Sequence, residues 1–225
     1  VRREIFEPAL ERLKAEARAK GWLQPRVIYG YFPARSEGND LLIYDPTQHS
    51  ALSAQPLVRF AFPRQPDLLR LCLSDYFASV ESGRTDVAVF QVVTVGDVAS
   101  EYAERLREAG EYERMLYVHG LSVQCAEALA EWTHARVRRE LGLAPDQGRR
   151  YSWGYPACPD LEQHELLYTL MPIEAEIGVR LTTGWQLDPE QSTAALVVHH
   201  PEATYFSIRE DLAATAAAGA DRAAD

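Results

Sequence analysis

The segment Arg149–Asp160, RRYSWGYPACPD, is the least regular stretch of this 225-residue chain. It brings two arginines and three aromatic residues together with two prolines, a glycine and a cysteine. Pro156 and Pro159 lack a backbone N–H and restrict the residue before them, so the segment can be neither a regular helix nor a central strand. The sequence therefore predicts a stiff, irregular turn that carries aromatic and cationic side chains.

Regular elements precede this turn. Residues 3–20 carry apolar side chains at spacings of three and four, which is typical of an amphipathic helix. The segment 27–44 is predicted to form a hairpin whose two strands are joined by a polar loop at 33–40. A loop of this length is long for a simple turn, and long loops often carry function, so it is a candidate functional element.

Strands and helices occur in separate blocks. Further strands are predicted at 57–63 and 86–96, and the pattern then becomes helical, with a long helix near 111–142. Two more strands are predicted within 194–208, on either side of His200-Pro201. On the long helix we expect one shared face to comprise Cys125, Leu129, Trp132 and Val137.

This order of elements favours an α+β fold rather than a doubly wound parallel sheet. The predicted architecture is a single domain with a curved, mainly antiparallel β-sheet flanked by helices. Residues 1–210 form the predicted domain, and the alanine-rich residues 211–225 form a tail with little to bury.

Composition excludes several classes of protein. The formal net charge of −10 argues against a nucleic-acid binder, and no apolar run approaches the roughly 18 residues that span a membrane. Cys72, Cys125 and Cys158 form neither a CxxC pair nor an even set, which argues against a disulfide framework or a zinc ribbon. A reducing, cytoplasmic location is the simplest expectation.

Cys158 and the histidines are candidate chemical groups. Cys158 precedes a predicted helix and could be a nucleophile with His164 as its base, but a small buried side chain in a tight turn is the favoured interpretation, because nothing in the sequence places His164 against the sulfur. His199 and His200 are adjacent, so on a strand they point to opposite faces and cannot chelate one ion together. No metal site is expected.

Arg150 and Tyr155 are stronger candidates for a binding site. A guanidinium can hold a carboxylate through two hydrogen bonds, and an aromatic ring beside it offers a flat surface that attracts cations. On a stiff turn these groups suit a small zwitterion that contains a ring system. A surface arginine next to a structural aromatic corner is the alternative interpretation.

Residues 150–160 resemble the Arg-x-x-x-Gly-Tyr-Pro-Ala-Cys-Pro signature of the activation domain of cobalamin-dependent methionine synthase, the C-terminal module of a multidomain enzyme. Three other segments resemble the same family: VIYGYFPARSEGNDLLIY (27–44), AEALAEWTHARVRREL (126–141) and HHPEATYFSI (199–208). The resemblance covers roughly residues 5–208.

The resemblance implies a specific role. The domain would bind S-adenosylmethionine and present its methyl group during the reductive methylation of cob(II)alamin to methylcobalamin. The cobalamin would be held by another module of the same enzyme, and a flavodoxin-type or other electron donor would supply one electron. The isolated domain is expected to bind its ligand without completing a reaction.

The resemblance also implies site residues. Arg150 would meet the ligand carboxylate, Glu127 its cationic end and the Ala157 backbone its adenine, while Tyr155 lies where ligand and corrin meet. No catalytic side chain is expected, because a sulfonium needs no acid to leave and the work is positioning. The full predicted binding set is Glu127, Arg150, Gly154, Tyr155, Pro156, Ala157 and Tyr205.

Some features depart from the family pattern. The family uses an aspartate upstream of its first helix, and this chain begins at Val1 without it, which favours a piece of a longer protein or a looser site. The equivalent of a further acidic contact stays open, with Asp146 as the nearest candidate. Two alternatives therefore remain: a cysteine-dependent enzyme built on Cys158, and a non-catalytic docking module that has lost its ligand.

Overall fold

The computed structural model describes residues 7–47, 55–66 and 69–208. Within them lie five α-helices: α1 Glu7–Lys20, α2 Asp97–Glu108, α3 Tyr112–Glu140, α4 His164–Leu170 and α5 Ile173–Ile177. The strands of the same residues are β1 Arg26–Glu37, β2 Asp40–Ile43, β3 Val58–Ala61, β4 Asp86–Thr94, β5 Arg149–Ser152, β6 Arg180–Leu181, β7 Leu187–Asp188 and β8 Ser192–Val198. The predicted tail at 211–225 lies outside the described residues.

Six strands form one sheet in the order β3-β2-β1-β4-β8-β5, and every neighbouring pair is antiparallel. A separate hairpin pairs β6 with β7. The prediction of an α+β fold with a curved antiparallel sheet and flanking helices is confirmed. The strand predicted at 86–96 is β4, which lies in the middle of the sheet because valines fill both of its faces.

The two faces of the sheet bury different sets of side chains. Phe90 and Leu196 point into the main core, where they meet Phe60, Leu167 and Ile173 from β3, α4 and α5. The alternate residues of β4 and β8 point to the other face, where α3 packs. Full burial of one phenylalanine contributes about 1.5–3 kcal/mol, so the aromatic cluster of the main core is a large part of the folding free energy.

Helix α3 packs against the sheet and also against the helices α1 and α2. Its buried positions recur every three or four residues and comprise Val118, Ser122, Ala126, Ala130, Thr133, His134 and Val137. Of the four residues expected to share one face, Val137 is buried, Cys125 and Leu129 are partly buried and Trp132 is exposed, so these four do not form the buried face of α3. Val137 packs on Val89 and Val197 of the sheet, whereas Val118 and Ala126 pack in a second cluster with residues of α1 and α2.

Neither α3, which has 29 residues, nor any other helix of the described residues combines the length and apolar character needed to span a membrane.

The prediction of a loop at 33–40 was wrong. Strand β1 continues through Pro33 to Glu37 and turns tightly at Gly38, whose φ of +59° suits a glycine. Arg35 and Ser36 look like loop residues in the sequence, but both are buried and donate hydrogen bonds to backbone carbonyl groups at 77–80. Contacts with a distant segment therefore keep these polar residues in a strand.

The second strand predicted within 194–208 was also wrong. The chain leaves the sheet after Val198, and residues 199–208 have no regular structure. They are held instead by the Tyr151 hydroxyl, which donates to the Thr204 carbonyl oxygen at 2.6 Å, and by a turn in which Ala203 N–H donates to the His200 carbonyl oxygen. This segment is therefore tied to β5 through the Tyr151 side chain rather than paired with it in the sheet.

Gly148 tests the close approach of the residue before β5 to Val198 at the end of β8. Its φ is +77°, and a Cβ there would collide with the carbonyl oxygen of Val198. Gly142 has a similar φ of +68° with open space around it, so it is the matched control. We expect Gly142→Ala to cost about 1–2 kcal/mol from backbone strain alone, and Gly148→Ala to cost at least about 2 kcal/mol more. Equal shifts of the urea unfolding midpoints would contradict this packing.

Candidate functional site

The RRYSWGYPACPD segment has two parts in the structure. Arg149–Ser152 form β5, the edge strand next to β8, and the residues after them form the irregular turn that the prolines predict. Gly154, with a φ of +84°, donates its N–H to the Cys158 carbonyl oxygen at 2.9 Å, and Cys158 N–H donates to the Tyr155 carbonyl oxygen at 3.0 Å. The Asp160 side chain then caps the next helical turn by accepting from Glu162 N–H.

A cleft of about 610 Å³ opens beside this turn. Its walls come from α3, from β5 with the turn, and from the segment at 205–207. Six of the seven residues predicted from the sequence line it, namely Glu127, Arg150, Tyr155, Pro156, Ala157 and Tyr205. Gly154 shapes the turn and is not part of the lining, and Asp146 is exposed elsewhere. The sequence analysis missed five further lining residues: Tyr151, Ser152, Cys158, Phe206 and Ser207.

Arg150 is the cation of the cleft, and two carboxylates of α3 hold it. Its Nη2 donates to Glu127 Oε2 at 3.1 Å, and its Nη1 donates to Glu131 Oε2 at 3.3 Å. The arginine side chain is only 15% exposed, whereas both glutamates are open to solvent. The four-residue spacing of the glutamates puts them one helical turn apart on the same side of α3, so one guanidinium reaches both.

Tyrosines form the apolar walls. Tyr155 and Tyr205 are exposed, and the Tyr205 ring packs edge-on against Tyr151 with 5.5 Å between the ring centroids. Burial raises the pKa of Tyr151 well above its usual value, so its hydroxyl stays protonated and donates to Thr204. The buried tyrosine thereby positions the exposed one, and the cleft presents two flat rings at its rim.

Cys158 is not an activated nucleophile in this structure. It is 2% exposed, its thiol donates to the Ser152 carbonyl oxygen at 2.9 Å, and burial raises its pKa to about 12. The proposed base, His164, directs Nδ1 to the Trp185 carbonyl oxygen at 2.7 Å, and burial lowers its pKa. The geometry favours the alternative in which Cys158 is a small buried side chain of the turn.

The remaining titratable groups form no metal site in residues 7–47, 55–66 and 69–208. His199 pairs with Asp86 through Nε2 at 2.7 Å, and this hydrogen bond raises the pKa of the histidine. Burial acts to raise the pKa of Asp86, but the bonds from His199 and the backbone outweigh it and leave that pKa lowered. The pair fixes the start of the segment that carries Tyr205.

His134 is a buried group that the sequence analysis did not identify. It lies on the sheet side of α3, and its Nε2 has no hydrogen-bond partner among the residues that the structure describes. Burial, with a smaller contribution from the nearby Arg138 cation, lowers its pKa to about 4. The imidazole is therefore neutral at pH 7.

The reactivity of Cys158 can be measured directly. With a pKa of about 12, we expect iodoacetamide at pH 8 to label Cys158 at least about 100-fold more slowly in the native protein than in urea. The half-buried Cys125 is the internal reference and should react first. Mass spectrometry of the digested protein measures the labelling of each cysteine peptide. Rapid labelling of Cys158 in the native protein would support the alternative of a cysteine-dependent enzyme.

His134 predicts a pH dependence of stability. Because its folded-state pKa is lowered, the unfolded chain takes up the proton first, and stability is lost as the pH falls below about 6.5 towards 4. Between pH 7 and pH 5 this amounts to roughly 1–2 kcal/mol. His134→Gln should remove that part of the loss in urea unfolding at the two pH values. If the variant loses as much stability between pH 7 and pH 5 as the unmodified protein, the pKa of His134 is not lowered and the native histidine is protonated at pH 5.

Comparison with known proteins is consistent with this geometry. The family model described as "Vitamin B12 dependent methionine synthase, activation domain" matches residues 1–211. The chain is 41% identical over 206 aligned positions to methionine synthase of Mycobacterium tuberculosis (strain ATCC 25618 / H37Rv), and 38% identical over 205 to that of Mycobacterium leprae (strain TN). Each alignment covers 81% of this chain, which spans only 17% of the length of these curated relatives.

A solved structure is similar as well. The crystal structure of the MetH reactivation domain bound to AdoHcy matches with a TM-score of 0.78 and 26% sequence identity, covering 91% of this chain and 70% of that one. The resemblance noted in the RYSWGYPACPD segment is confirmed by these matches. The chain belongs to the family of activation domains of vitamin B12 dependent methionine synthase.

Proposed function

We propose that this chain is the reactivation module of a cobalamin-dependent methionine synthase and that its cleft binds S-adenosylmethionine. The observation that carries the proposal is the convergence of a guanidinium, a carboxylate and aromatic walls on one cleft beside the family signature. The similar reactivation domain that was solved with AdoHcy supports the choice of ligand. The proposed binding set is Glu127, Arg150, Tyr155, Pro156, Ala157 and Tyr205, together with Gly154, which shapes the turn that carries Tyr155, Pro156 and Ala157.

The charges of the cleft suit a zwitterion. Arg150 and Glu127 pair with each other at 3.1 Å. The arginine can pair with the ligand carboxylate, and the glutamate can pair with the cationic end of the ligand. In the proposed complex the ligand carboxylate replaces Glu127 at Nη2 of Arg150, and Glu127 turns to the cationic end of the ligand. This exchange leaves no charge unpaired, which matters because the Arg150 side chain is largely buried.

The turn suits the flat, uncharged part of the ligand. Its backbone is held by the hydrogen bonds from Gly154 N–H to Cys158 and from Cys158 N–H to Tyr155, and by the Asp160 cap, so little conformational entropy is lost on binding. We assign the adenine to the cleft wall at Pro156 and Ala157, with the ring of Tyr155 at the rim. Tyr205, positioned by Tyr151, closes the opposite side.

Positioning is the whole chemical task of these residues. S-adenosylmethionine supplies an activated methyl group, and the cobalamin of another module accepts it. A sulfonium leaves without protonation, so this chain needs no acid or base and contributes by holding the methyl in line with its acceptor. The rings of Tyr155 and Tyr205 are exposed, and we assign to them the surface that meets the corrin.

The partners follow from this role. They are the cobalamin-binding module of methionine synthase and an electron donor of the flavodoxin type or another class, in the cytoplasm. Neither nucleic acid nor a membrane is needed. The free cysteines Cys72, Cys125 and Cys158 agree with a reducing compartment. We take residues 1–210 as the binding domain and residues 211–225 as its tail.

Calorimetric titration with AdoHcy tests the binding site. Arg150→Met should weaken binding at least about 10-fold, because the ligand carboxylate loses its paired hydrogen bonds. Arg149→Met is the matched control, since that neighbouring arginine donates to the carbonyl oxygens of Asp146 and Gly148 instead. We expect the control to stay within about twofold of the unmodified protein.

Two outcomes would contradict the proposal. Equal affinity of the Arg150→Met and unmodified proteins would show that the carboxylate binds elsewhere. A folded chain that does not bind AdoHcy at all would favour the docking module that has lost its ligand. Folding of each variant is checked by circular dichroism and a thermal melt.

A further inference from the structure

Glu131, which pairs with Arg150, also forms a second ion pair with Arg138 of α3. Arg138 donates through Nη1 to Glu131 Oε1 at 3.3 Å, and Glu131 Oε2 accepts from Nη1 of Arg150, also at 3.3 Å. Glu131 therefore bridges two guanidinium groups, one with each carboxylate oxygen. Both arginine side chains are mostly buried, at 13% and 15% exposure.

The backbone anchors this bridge. Nε of Arg138 donates to the Gln147 carbonyl oxygen at 2.9 Å, in the loop that leads into β5. The Gln147 side chain in turn donates through Nε2 to the His199 carbonyl oxygen at 2.9 Å, just after β8. Arg138 is thus tied to the two strands that define the edge of the sheet, and Glu131 is held by a fixed group rather than a mobile one.

The two glutamates differ in what they can reach. Glu127 lines the cleft and contacts Nη2 of Arg150, whereas Glu131 is not part of the lining and contacts Nη1. When Glu127 turns to a cationic group of the ligand, Glu131 keeps its hold on Nη1. The guanidinium then keeps its orientation, with the Nη2 edge directed towards the ligand carboxylate.

We infer that Glu131, braced by Arg138, is a positioning residue that orients the guanidinium of Arg150 for the carboxylate of an amino-acid ligand. This inference rests on the proposed function. It assigns different roles to the two carboxylates: Glu127 contacts the ligand, and Glu131 acts only through Arg150. The cluster of two arginines and two glutamates has no net charge, so Glu131 also balances the charge of Arg138.

The test is a double-mutant cycle read by calorimetric titration with AdoHcy. Glu131→Gln keeps the size and helix propensity of the side chain but removes its charge, and it should weaken AdoHcy about 5- to 10-fold. Arg138→Met should weaken it by a similar or smaller factor. The double variant should match Glu131→Gln rather than multiply the two losses, because Arg138 acts through Glu131. Glu108→Gln, on the exposed side of α2, is the control and should stay within about twofold.

A second ligand separates positioning from general damage. 5′-Methylthioadenosine shares the adenosine and thioether of AdoHcy but has no carboxylate, and its affinity is measured by competition with AdoHcy. Glu131→Gln should leave that affinity within about twofold, because Arg150 has nothing to orient for this ligand.

Each contrary outcome overturns the inference in a recognisable way. Unchanged AdoHcy affinity in Glu131→Gln, multiplicative losses in the double variant, or equal losses for both ligands would each contradict a positioning role while the proposed function stands. A folded, unmodified protein that does not bind AdoHcy would overturn the proposed function and this inference together.

Discussion

The close packing of α3 on the sheet is the constraint on which the site depends. The helix packs Val137 on Val89 and Val197 of β4 and β8, and Gln91 of β4 donates directly to the Ala130 carbonyl oxygen at 3.1 Å. The small side chain of Ala130 permits such short separations between helix and strand. They bring Glu127 and Glu131 within 3.3 Å of an arginine on the edge strand, 19 or more residues away in sequence.

The signature segment serves the fold and the site at once. Successive side chains of a strand point to opposite faces, so Tyr151 and Trp153 enter the main core while Arg150 points to α3 and the cleft. Tyr155 follows on the turn and lies exposed at the rim. The segment therefore combines an aromatic corner of the core with the arginine that lines the cleft.

Much of the site was predictable because its residues are local in sequence. The prolines dictate a turn, and the resemblance assigned Arg150, Tyr155 and Ala157 to one surface, where the cleft brings them together. Glu131 and Arg138 could not be assigned in this way. On a helix, a carboxylate one turn from another is most often a solvated surface group. Only the position of β5 shows that Glu131 bridges two buried arginines.

The sequence by itself determined the α+β class, the central strand β4, the long helix and the irregular turn, because each depends on local periodicity or on proline geometry. The tertiary structure decided the rest. Distant backbone partners keep Arg35 and Ser36 in a strand, burial makes Cys158 an inert thiol, and Tyr151 holds residues 199–208 outside the sheet. In each case a contact between residues far apart in the chain outweighs the local preference, and no local pattern encodes such a contact.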